Sequence, residues 1–312
     1  MNQSPSSSAT FKNEDASSYD AVVAEFDHFT TLLTTPLAAR MIALADIRPG
    51  HSVLDVGTGT AVVAFQAAKR VGPVGKVVGI DLSDGMLKVA EDQSARAGLN
   101  DRIEFRKMDA EALQFGDGSL DRVLSLFALL HFPNPALALG EMLRVLRPGG
   151  SLVVAVGSGS PWFSLQGITH RIRRLPELLL GLQGKILIAP AFLNALVERH
   201  IPANGEEQTA LARAHHNRTG DLPELVRKAG FVNIRTYWEG HQAIVKTPKE
   251  FWDLQRTFSS IGRKRLFKAT RQEVDTVREA FLTTCRKVQS RGGKLVYPVG
   301  AFYVIAERPQ RG

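Results

Sequence analysis

Five short apolar runs that alternate with helical patterns constrain the fold of this chain more than any other feature. They are SVLDVG, KVVGID, RIEFRKM, DRVLSLFALL and SLVVAVG, and all of them lie between Ser52 and Gly157. Continuous Val, Ile and Leu runs separated by helices are typical of a parallel sheet that is covered on both faces. Proline at helix starts and glycine at helix ends, as at Pro135 and Gly98, supports these boundaries. The sequence therefore predicts an α/β fold with a Rossmann-like, doubly wound sheet.

The rest of the chain departs from this rhythm. The first residues are polar and indicate a disordered tail, and the segments after the fifth run show mainly helical patterns without a clear strand until the core pattern resumes. The last strand is predicted at Gly300 to Arg308. In chain order we predict a disordered tail (1–18), a helical cap (19–50), a cofactor-binding core (51–157), a helical insertion or lid (158–220), a core helix and strand (221–246), a second helical insertion (247–292) and a final core strand with a tail (293–312).

The cysteine content and the apolar segments predict the cellular compartment of the protein. Cys285 is the one cysteine, which excludes an internal disulfide framework and fits a reducing compartment. The amino-terminal residues have neither a basic nor an apolar region of a signal peptide. The most apolar later stretch is interrupted by Gln183, Lys185 and Pro190, which argues against a transmembrane span and leaves membrane-surface contact open. We therefore expect a cytoplasmic protein.

The formal charge of +8 favours anionic partners in a general way. Positive residues cluster in HRIRRLP (170–176) and GRKRLFKATR (262–271). Basic helix faces are usually solvated surfaces, so these clusters alone do not predict a nucleic-acid partner. RNA binding is kept as an alternative.

A glycine-rich turn follows the first apolar run. Asp55 ends that run, and Gly57, Thr58 and Gly59 come next. Ligands of open parallel sheets bind at the carboxyl ends of the strands, where small residues let the backbone approach and a helix start offers free N–H groups. The dinucleotide fingerprint G-x-G-x-x-G would need glycine at position 62, where Val62 stands. An NAD site is therefore disfavoured.

Acids also end the second and third runs. Asp81 closes VVGID, where a carboxylate accepts hydrogen bonds from ribose hydroxyls; capping of the next helix suits Ser83 or Asp84 better. Asp109 can accept from the exocyclic amine of adenine while the N–H of Ala110 reaches a ring nitrogen, or Asp109 caps a short helix. Acids after three successive strands predict an adenosine site more specifically than any one of them.

These stretches resemble the class I S-adenosylmethionine-dependent methyltransferases, and most of all the ubiquinone/menaquinone-biosynthesis-like small-molecule subgroup. The resemblance rests on VLDVGTGTA, VVGIDLSDGMLKVAE, IEFRKMDAEAL and the segment from SLDRVLSLFALLHF to RPGGSLVVAV. It implies a seven-stranded sheet whose last strand runs antiparallel, and S-adenosylmethionine as the cofactor. One departure is Ala61, where the family commonly has a third glycine.

The resemblance also implies roles for individual residues. Asp55 and the glycine turn would flank the methionine part of the cofactor, and Asp81 would hold the ribose. The remaining implied contacts are with the adenine (Leu82, Met86, Asp109 and Ala110) and with the surroundings of the sulfonium, through backbone groups (Ser125 and Phe127).

The acceptor site is expected beneath the helical segments. Tyr19 and Phe29 are candidate roof residues, and Trp162 and His215 are candidate lid residues, although each of them also fits ordinary packing. The apolar content of the two helical insertions, including Trp162 and Trp252, predicts a small, fairly apolar acceptor. His131 follows the fourth run and is the candidate general base, with ordering of its own loop as the alternative. No zinc-ligand spacing is present, so no metal is predicted.

Two other functions fit the same cofactor. An RNA methyltransferase would explain the basic clusters, but SLFA stands where many base-methylating enzymes carry a Pro-Pro-aromatic loop. A non-catalytic module that binds S-adenosylmethionine is the other alternative. The sequence does not identify the methylated atom or the oligomeric state.

Overall fold

The computed structural model describes residues 5–158, 186–188, 191–202 and 221–310, and its centre is one twisted sheet. The strands are β1 Ser52–Val56, β2 Lys76–Asp81, β3 Ile103–Lys107, β4 Leu120–Leu126, β5 Leu146–Gly157, β6 Ile186–Ile188, β7 Val232–Val245 and β8 Lys294–Glu307.

The sheet has the order β3-β2-β1-β4-β5-β8, with β7 along the other edge of β8. Strands β1 to β5 pair in parallel, and β8 runs antiparallel to β5 and to β7. The predicted doubly wound sheet with an antiparallel last strand is confirmed. β6 is an addition, because no strand was predicted in the segment that contains it. Its three residues are too few to show an alternation in the sequence, and they pair with the start of β8, which begins before the predicted Gly300.

Eleven helices accompany the sheet within the described residues. They are α1 Pro5–Asp20, α2 Val23–Leu33, α3 Thr35–Leu44, α4 Val62–Val71, α5 Asp84–Ala97, α6 Pro135–Val145, α7 Ala191–His200, α8 Leu222–Lys228, α9 Pro248–Phe258, α10 Ser260–Lys268 and α11 Arg271–Ser290.

The ends of several helices carry the expected caps. The Ser83 hydroxyl accepts from the N–H of Met86 at 3.0 Å, and the Asp221 carboxylate accepts from the N–H of Glu224 at 3.2 Å. Gly98 closes α5 with a φ of 63°, which favours glycine. The predicted helix boundaries at these positions are confirmed.

Helix α1 occupies most of the segment where a disordered tail (1–18) was predicted. The segment has no apolar stripe that would signal a packed helix. Its partners are instead polar groups far along the chain, such as the contact between Lys12 and Asp109, which lie 97 positions apart. Local composition therefore gives no sign of this helix.

Three clusters of buried side chains make up the core. Successive residues of β1 point to opposite faces, so Val53 belongs to the cluster on one face and Leu54 to the cluster on the other. A third cluster joins α2, α7, α9 and α11 to the start of β8, and it contains Phe29, Trp252 and Phe281. Within the described ranges, no helix combines the length and the apolar character that crossing a bilayer requires.

Candidate active site

The carboxyl ends of β1 to β4 lie side by side and form what we call the strand edge, residues 55–59, 81–83, 109–111 and 125–131. Asp55 lies opposite Gly79 of β2, and Asp81 lies opposite Lys107 of β3. The N–H groups of Gly57 and Thr58 both donate to the Ile80 carbonyl, at 2.8 and 2.9 Å. The structure therefore brings the acids at the ends of the first three strands to one edge.

The turn after β1 requires glycine at its first position. Gly57 has a φ of +69°, and a Cβ there would lie 2.2 Å from the Cβ of Ala128 in the turn after β4. Ala61 also adopts a left-handed conformation, with a φ of 71°. This backbone conformation explains why glycine suits that position and why alanine is its smallest substitute.

Asp55 is fully buried behind this turn. Its carboxylate accepts a hydrogen bond of 2.7 Å from the Thr58 hydroxyl. Burial raises the pKa of Asp55 to about 7, although the hydrogen bonds that it accepts act in the opposite direction. Asp55 thus titrates close to neutral pH beside the glycine turn.

Asp81 is held by backbone N–H groups. One oxygen accepts from Leu82 at 2.8 Å and from Ser83 at 3.0 Å, and the other accepts from Gly59 at 2.9 Å. Burial raises the pKa of Asp81, and the three N–H donors partly offset that rise. The oxygen that faces Gly59 keeps capacity for another donor. Met86 is buried one turn into the helix that follows.

Asp109 lies in a turn rather than in a helix cap. One oxygen accepts from the N–H of Glu111 at 2.9 Å, and the other accepts from the Lys12 ammonium at 2.6 Å. Lys12 also donates to the Glu111 carboxylate at 2.7 Å. Ala110 is buried between the two acids. A cation from α1 therefore lies at the end of β3.

The end of β4 is strained and closely packed. Phe127 has a φ of 66°, which is uncommon for an aromatic residue and is found preferentially at functional sites. Its N–H donates to the Ala155 carbonyl at 2.8 Å, and the buried Ser125 hydroxyl donates to the Val56 carbonyl at 3.0 Å.

His131 ends the short 3₁₀ turn that follows β4. Its Nδ1 lies 2.9 Å from the Asp15 carboxylate, and its Nε2 lies 3.1 Å from the Tyr19 hydroxyl. Both partners belong to α1. The His131 side chain, which is 25% exposed, is therefore held between two side chains of the amino-terminal helix.

Helices α1, α2, α9, α10 and α11 form what we call the roof. Asp20 of α1 accepts from the Ser83 hydroxyl at 2.5 Å, and the Phe26 ring lies 3.4 Å from where a Cβ of Gly59 would be. The ring of Phe26 also stacks on Phe258, with the centroids 5.3 Å apart. These contacts place the roof against the strand edge.

Of the predicted roof residues, one lies at the strand edge and the other lies away from it. Tyr19 faces His131, whereas Phe29 is buried in the core of the roof. Phe26, rather than Phe29, is the aromatic residue of α2 beside the glycine turn. Trp162 and His215 lie outside the described residues.

Sequence reasoning missed the residues that surround His131. Asp15 was part of the predicted tail, and Arg263 and Lys264 were part of a basic cluster interpreted as a solvated face. Arg263 is 2% exposed, its guanidinium carbon lies 3.7 Å from the centroid of the Tyr19 ring, and Nζ of Lys264 lies 2.6 Å from Oδ1 of Asp15 in an ion pair. Charged residues repeated along one helix face would indicate burial only if their partner were known. The partners of Arg263 and Lys264 are Asp15 and Tyr19, more than 200 positions earlier in the chain.

The chemistry of the strand edge fits an adenosyl sulfonium better than a pyrophosphate. The ribose hydroxyls and the adenine amine are donors, and the edge offers carboxylates at the ends of β2 and β3. A pyrophosphate would meet the buried Asp55 carboxyl beside the first turn, and Val62 stands where the third glycine would allow its approach.

Comparison with known proteins agrees with this geometry. A family model described as a methyltransferase domain matches residues 54–154. The ubiquinone/menaquinone biosynthesis C-methyltransferase UbiE of Ectopseudomonas mendocina is 32% identical over 224 residues, and the match covers 67% of this chain and 86% of the relative. The nocamycin O-methyltransferase of Saccharothrix syringae is 32% identical over 222 residues, which cover 71% of each chain.

A solved structure shows the same fold. A protein of Bacillus halodurans C-125 described as a methyltransferase superimposes with a TM-score of 0.52 at 22% identity, and the match covers 88% of this chain and 99% of that one. The chain therefore belongs to the class I S-adenosylmethionine-dependent methyltransferases, with S-adenosylmethionine as its cofactor.

Proposed function

We propose that the protein methylates a small, fairly apolar acceptor that is a phenol or an enol, either at its hydroxyl oxygen or at the carbon attached to the oxygen-bearing carbon. The contact of His131 with Tyr19 and Asp15 carries this proposal, because it sets a base beneath an aromatic roof. Removing the proton of a phenol or an enol makes nucleophilic both its oxygen and the carbon attached to the oxygen-bearing carbon (the ortho carbon in a phenol). A relative that methylates carbon and one that methylates oxygen are both compatible with such a site.

The rings above the strand edge support an apolar acceptor. Tyr19 and Phe26 lie edge to face with their centroids 5.6 Å apart, Phe258 stacks on Phe26, and Tyr297 lies 6.2 Å beyond it. Aromatic rings of this kind bind planar apolar molecules by stacking and exclude water from the reacting groups.

The second basic cluster gives little support to an RNA substrate. Arg263 and Arg265 are 2% and 7% exposed, so neither presents its charge to a phosphate backbone. The first basic cluster lies outside the described residues. The proposal therefore favours a small molecule.

The strand edge would hold the cofactor through the residues that the sequence singled out. Asp81 would accept from the ribose, Asp109 and Ala110 would bind the adenine edge, and Leu82 and Met86 would pack beside it. Asp55 and the glycine turn would face the methionine part, with backbone groups of Ser125 and Phe127 near the sulfur. When bound, S-adenosylmethionine supplies an electrophilic methyl carbon, whose bond to sulfur breaks with its electron pair remaining on the sulfur.

The lone cysteine supports the proposed cytoplasmic location. Cys285 is fully buried in the roof, and burial raises the pKa of its thiol to about 12. A free buried thiol fits a reducing compartment.

Binding of the cofactor is tested by calorimetry with Asp81→Ala. We expect S-adenosylhomocysteine to bind the wild type and to lose roughly 100-fold in affinity in the variant, because two hydrogen bonds to a charged group contribute about 1.5 kcal/mol or more each. Asp84→Ala is the matched control, since the Asp84 side chain is 74% exposed and pairs with Lys107 at the surface. Absence of binding heat for the wild type would contradict the proposed site.

Turnover tests the acceptor class. The wild type is incubated with S-adenosylmethionine and either a set of phenols and enols or bulk RNA, and S-adenosylhomocysteine is measured. Product with a phenol or an enol supports the proposal. Methylation of RNA alone, with an affinity that falls steeply with salt, would replace the proposal with the RNA alternative. Binding of the cofactor without turnover of any acceptor would favour a non-catalytic module.

A further inference from the structure

Asp15, His131 and Tyr19 form one continuous chain of contacts. The Asp15 carboxylate lies 2.9 Å from Nδ1 of His131, and the Tyr19 hydroxyl lies 3.1 Å from Nε2 on the opposite side of the ring. Both ring nitrogens are thus engaged by residues that are one helical turn apart on α1. The spacing on α1 determines which partner each nitrogen meets.

The charge state of Asp15 decides which atom donates in each hydrogen bond between Asp15, His131 and Tyr19. Asp15 is 7% exposed, and burial alone would raise its pKa, but the charge of a protonated His131 and that of Lys264 hold that pKa well below its usual range. When His131 is neutral, the Lys264 ammonium still lies 2.6 Å from Oδ1 of Asp15 and favours the carboxylate. Asp15 is therefore a carboxylate at neutral pH and accepts hydrogen bonds only. It follows that Nδ1 of a neutral His131 carries the proton and that the lone pair is on Nε2.

The protonation state of Tyr19 decides which atom donates in the hydrogen bond between Tyr19 and His131. Burial raises the pKa of Tyr19 to about 12, while Arg263 acts against that rise, so the phenol is protonated at neutral pH. Its hydroxyl donates to Nε2, and Nδ1–H donates to Asp15. A proton that reaches Nε2 from outside must therefore pass through the Tyr19 oxygen.

We propose that Asp15 is the positioning residue of a proton relay, Tyr19 to His131, through which the acceptor loses its proton. The inference rests on the proposed methyl transfer to a hydroxyl-bearing acceptor. The acceptor O–H bond breaks, its proton binds to the Tyr19 oxygen, and the Tyr19 proton moves to Nε2 of His131. The electron pair of the broken bond stays on the acceptor, and the imidazolium charge faces the Asp15 carboxylate.

The surroundings of the relay are charged on every side. From α10, the Arg263 guanidinium lies over the Tyr19 ring and the Lys264 ammonium forms an ion pair with Asp15. From the strand edge, Asp81 interacts electrostatically with His131. Arg263 thus stabilises negative charge on the Tyr19 oxygen during the transfer, and Lys264 pairs with Oδ1 of Asp15, the oxygen that does not contact Nδ1.

The relay also explains why the amino-terminal helix contacts the strand edge. Asp15 and Tyr19 both come from α1, whereas His131 comes from the turn after β4. The base is therefore complete only when α1 is docked.

The tautomer of His131 tests the positioning by a measurement that needs no acceptor. In ¹⁵N-histidine-labelled full-length protein, the His131 signals are identified by their loss in His131→Gln. We expect Nδ1–H in the wild type and in Lys264→Met, which loses one contact of Asp15 but keeps the carboxylate. Asp15→Ala removes the acceptor and Asp15→Asn offers a competing donor, so we expect at least one of them to lose the Nδ1–H preference.

The kinetic consequence is measured with an acceptor from the turnover experiment. We expect kcat to fall at least tenfold in Asp15→Asn and in Tyr19→Phe, with affinity for S-adenosylhomocysteine changed less than about twofold. Tyr19→Phe keeps the Nδ1–H tautomer, which separates the relay from the positioning. Glu14→Gln, which removes an exposed carboxylate of the same helix, is the control with unchanged turnover.

Two results would overturn the proposal. One is an Nε2–H tautomer in the wild type, and the other is an Nδ1–H tautomer that persists in both Asp15 variants. If no acceptor is methylated, the proposed function fails while the tautomer still decides the role of Asp15, so the two failures are distinguishable.

Discussion

The strand edge and the roof meet at His131, but they are held together by different kinds of contact. On the strand edge, backbone groups hold the important side chains: three N–H groups bind Asp81, and Gly57 fits against Ala128. In the roof, side chains hold side chains, as where Arg263 covers Tyr19. The first kind of contact joins neighbours in the chain or in the sheet, and the second includes contacts between residues far apart in the chain, such as Arg263 and Tyr19.

This difference predicts different stabilities. The strand edge is part of a parallel sheet, which we expect to open only with the whole domain, whereas α1 is attached largely by polar side chains and by the Tyr19 ring. We therefore expect substitutions on the edge to change the free energy of unfolding of the protein, and substitutions in α1 to affect mainly the opening of that helix.

The largest effect is expected for Gly57→Ala. The left-handed φ costs about 1–2 kcal/mol for a non-glycine residue, and the contact with Ala128 adds overpacking, so we expect a total loss of about 3–5 kcal/mol in the free energy of unfolding. Urea denaturation measures the loss, and calorimetry with S-adenosylhomocysteine measures the accompanying loss of binding.

Gly98→Ala is the matched control for this substitution. Gly98 has a φ of +63°, but no atom lies within 4 Å of where its Cβ would be. We expect a loss of about 1 kcal/mol from conformation alone. Equal losses at the two positions would show that the close approach of the turns after β1 and β4 contributes nothing.

The next effect depends on pH and concerns Asp55. Its pKa is about 7 in the folded protein and about 3.9 in an unfolded chain. Its contribution to stability is therefore fully present below about pH 4 and is lost as the pH rises to about 7, because ionisation of the buried carboxyl disfavours the fold. Asp55→Asn lacks this ionisation, and its oxygen still accepts from Thr58.

We expect Asp55→Asn to gain in free energy of unfolding relative to the wild type as the pH is raised from 4 to 7, by up to about 4 kcal/mol. Above about pH 8 the difference should be constant. Urea midpoints measured at several pH values give the curve, and Asp84→Asn, at an exposed position, should give a flat one. A flat curve for Asp55→Asn would mean that Asp55 is ionised in both states.

The same difference explains how far the sequence predicted the site. The acids Asp55, Asp81 and Asp109 were predicted to share one edge because strand ends and turns are local patterns, and the structure places them there. The antiparallel last strand followed from the family resemblance. The relay partner Asp15 was not predicted, because nothing near it in the sequence shows that α1 packs on the turn after β4.

The second basic cluster shows the opposite error. Its charges were interpreted as a solvated helix face, but Arg263 and Arg265 are buried and Lys264 binds Asp15. Charged residues are seldom buried without a partner, so the composition favoured the surface interpretation. The partners of Arg263 are Asp15 and Ser18 of α1, and the Arg263 side chain donates to Ser18 across 245 positions.

The smallest effect is expected for Lys12→Met, which tests how α1 is attached. Lys12 donates to Asp109 and Glu111, and its side chain is 15% exposed, so its loss should destabilise the docked helix by about 1 kcal/mol. That amount corresponds to roughly fivefold faster hydrogen exchange of the α1 amides, measured by mass spectrometry, with exchange in β1 unchanged. Lys107→Met is the control, because the Lys107–Asp84 pair is largely exposed and its removal should alter neither. Faster exchange in β1 as well would show that the roof and the strand edge open as one unit, which would remove the distinction between them.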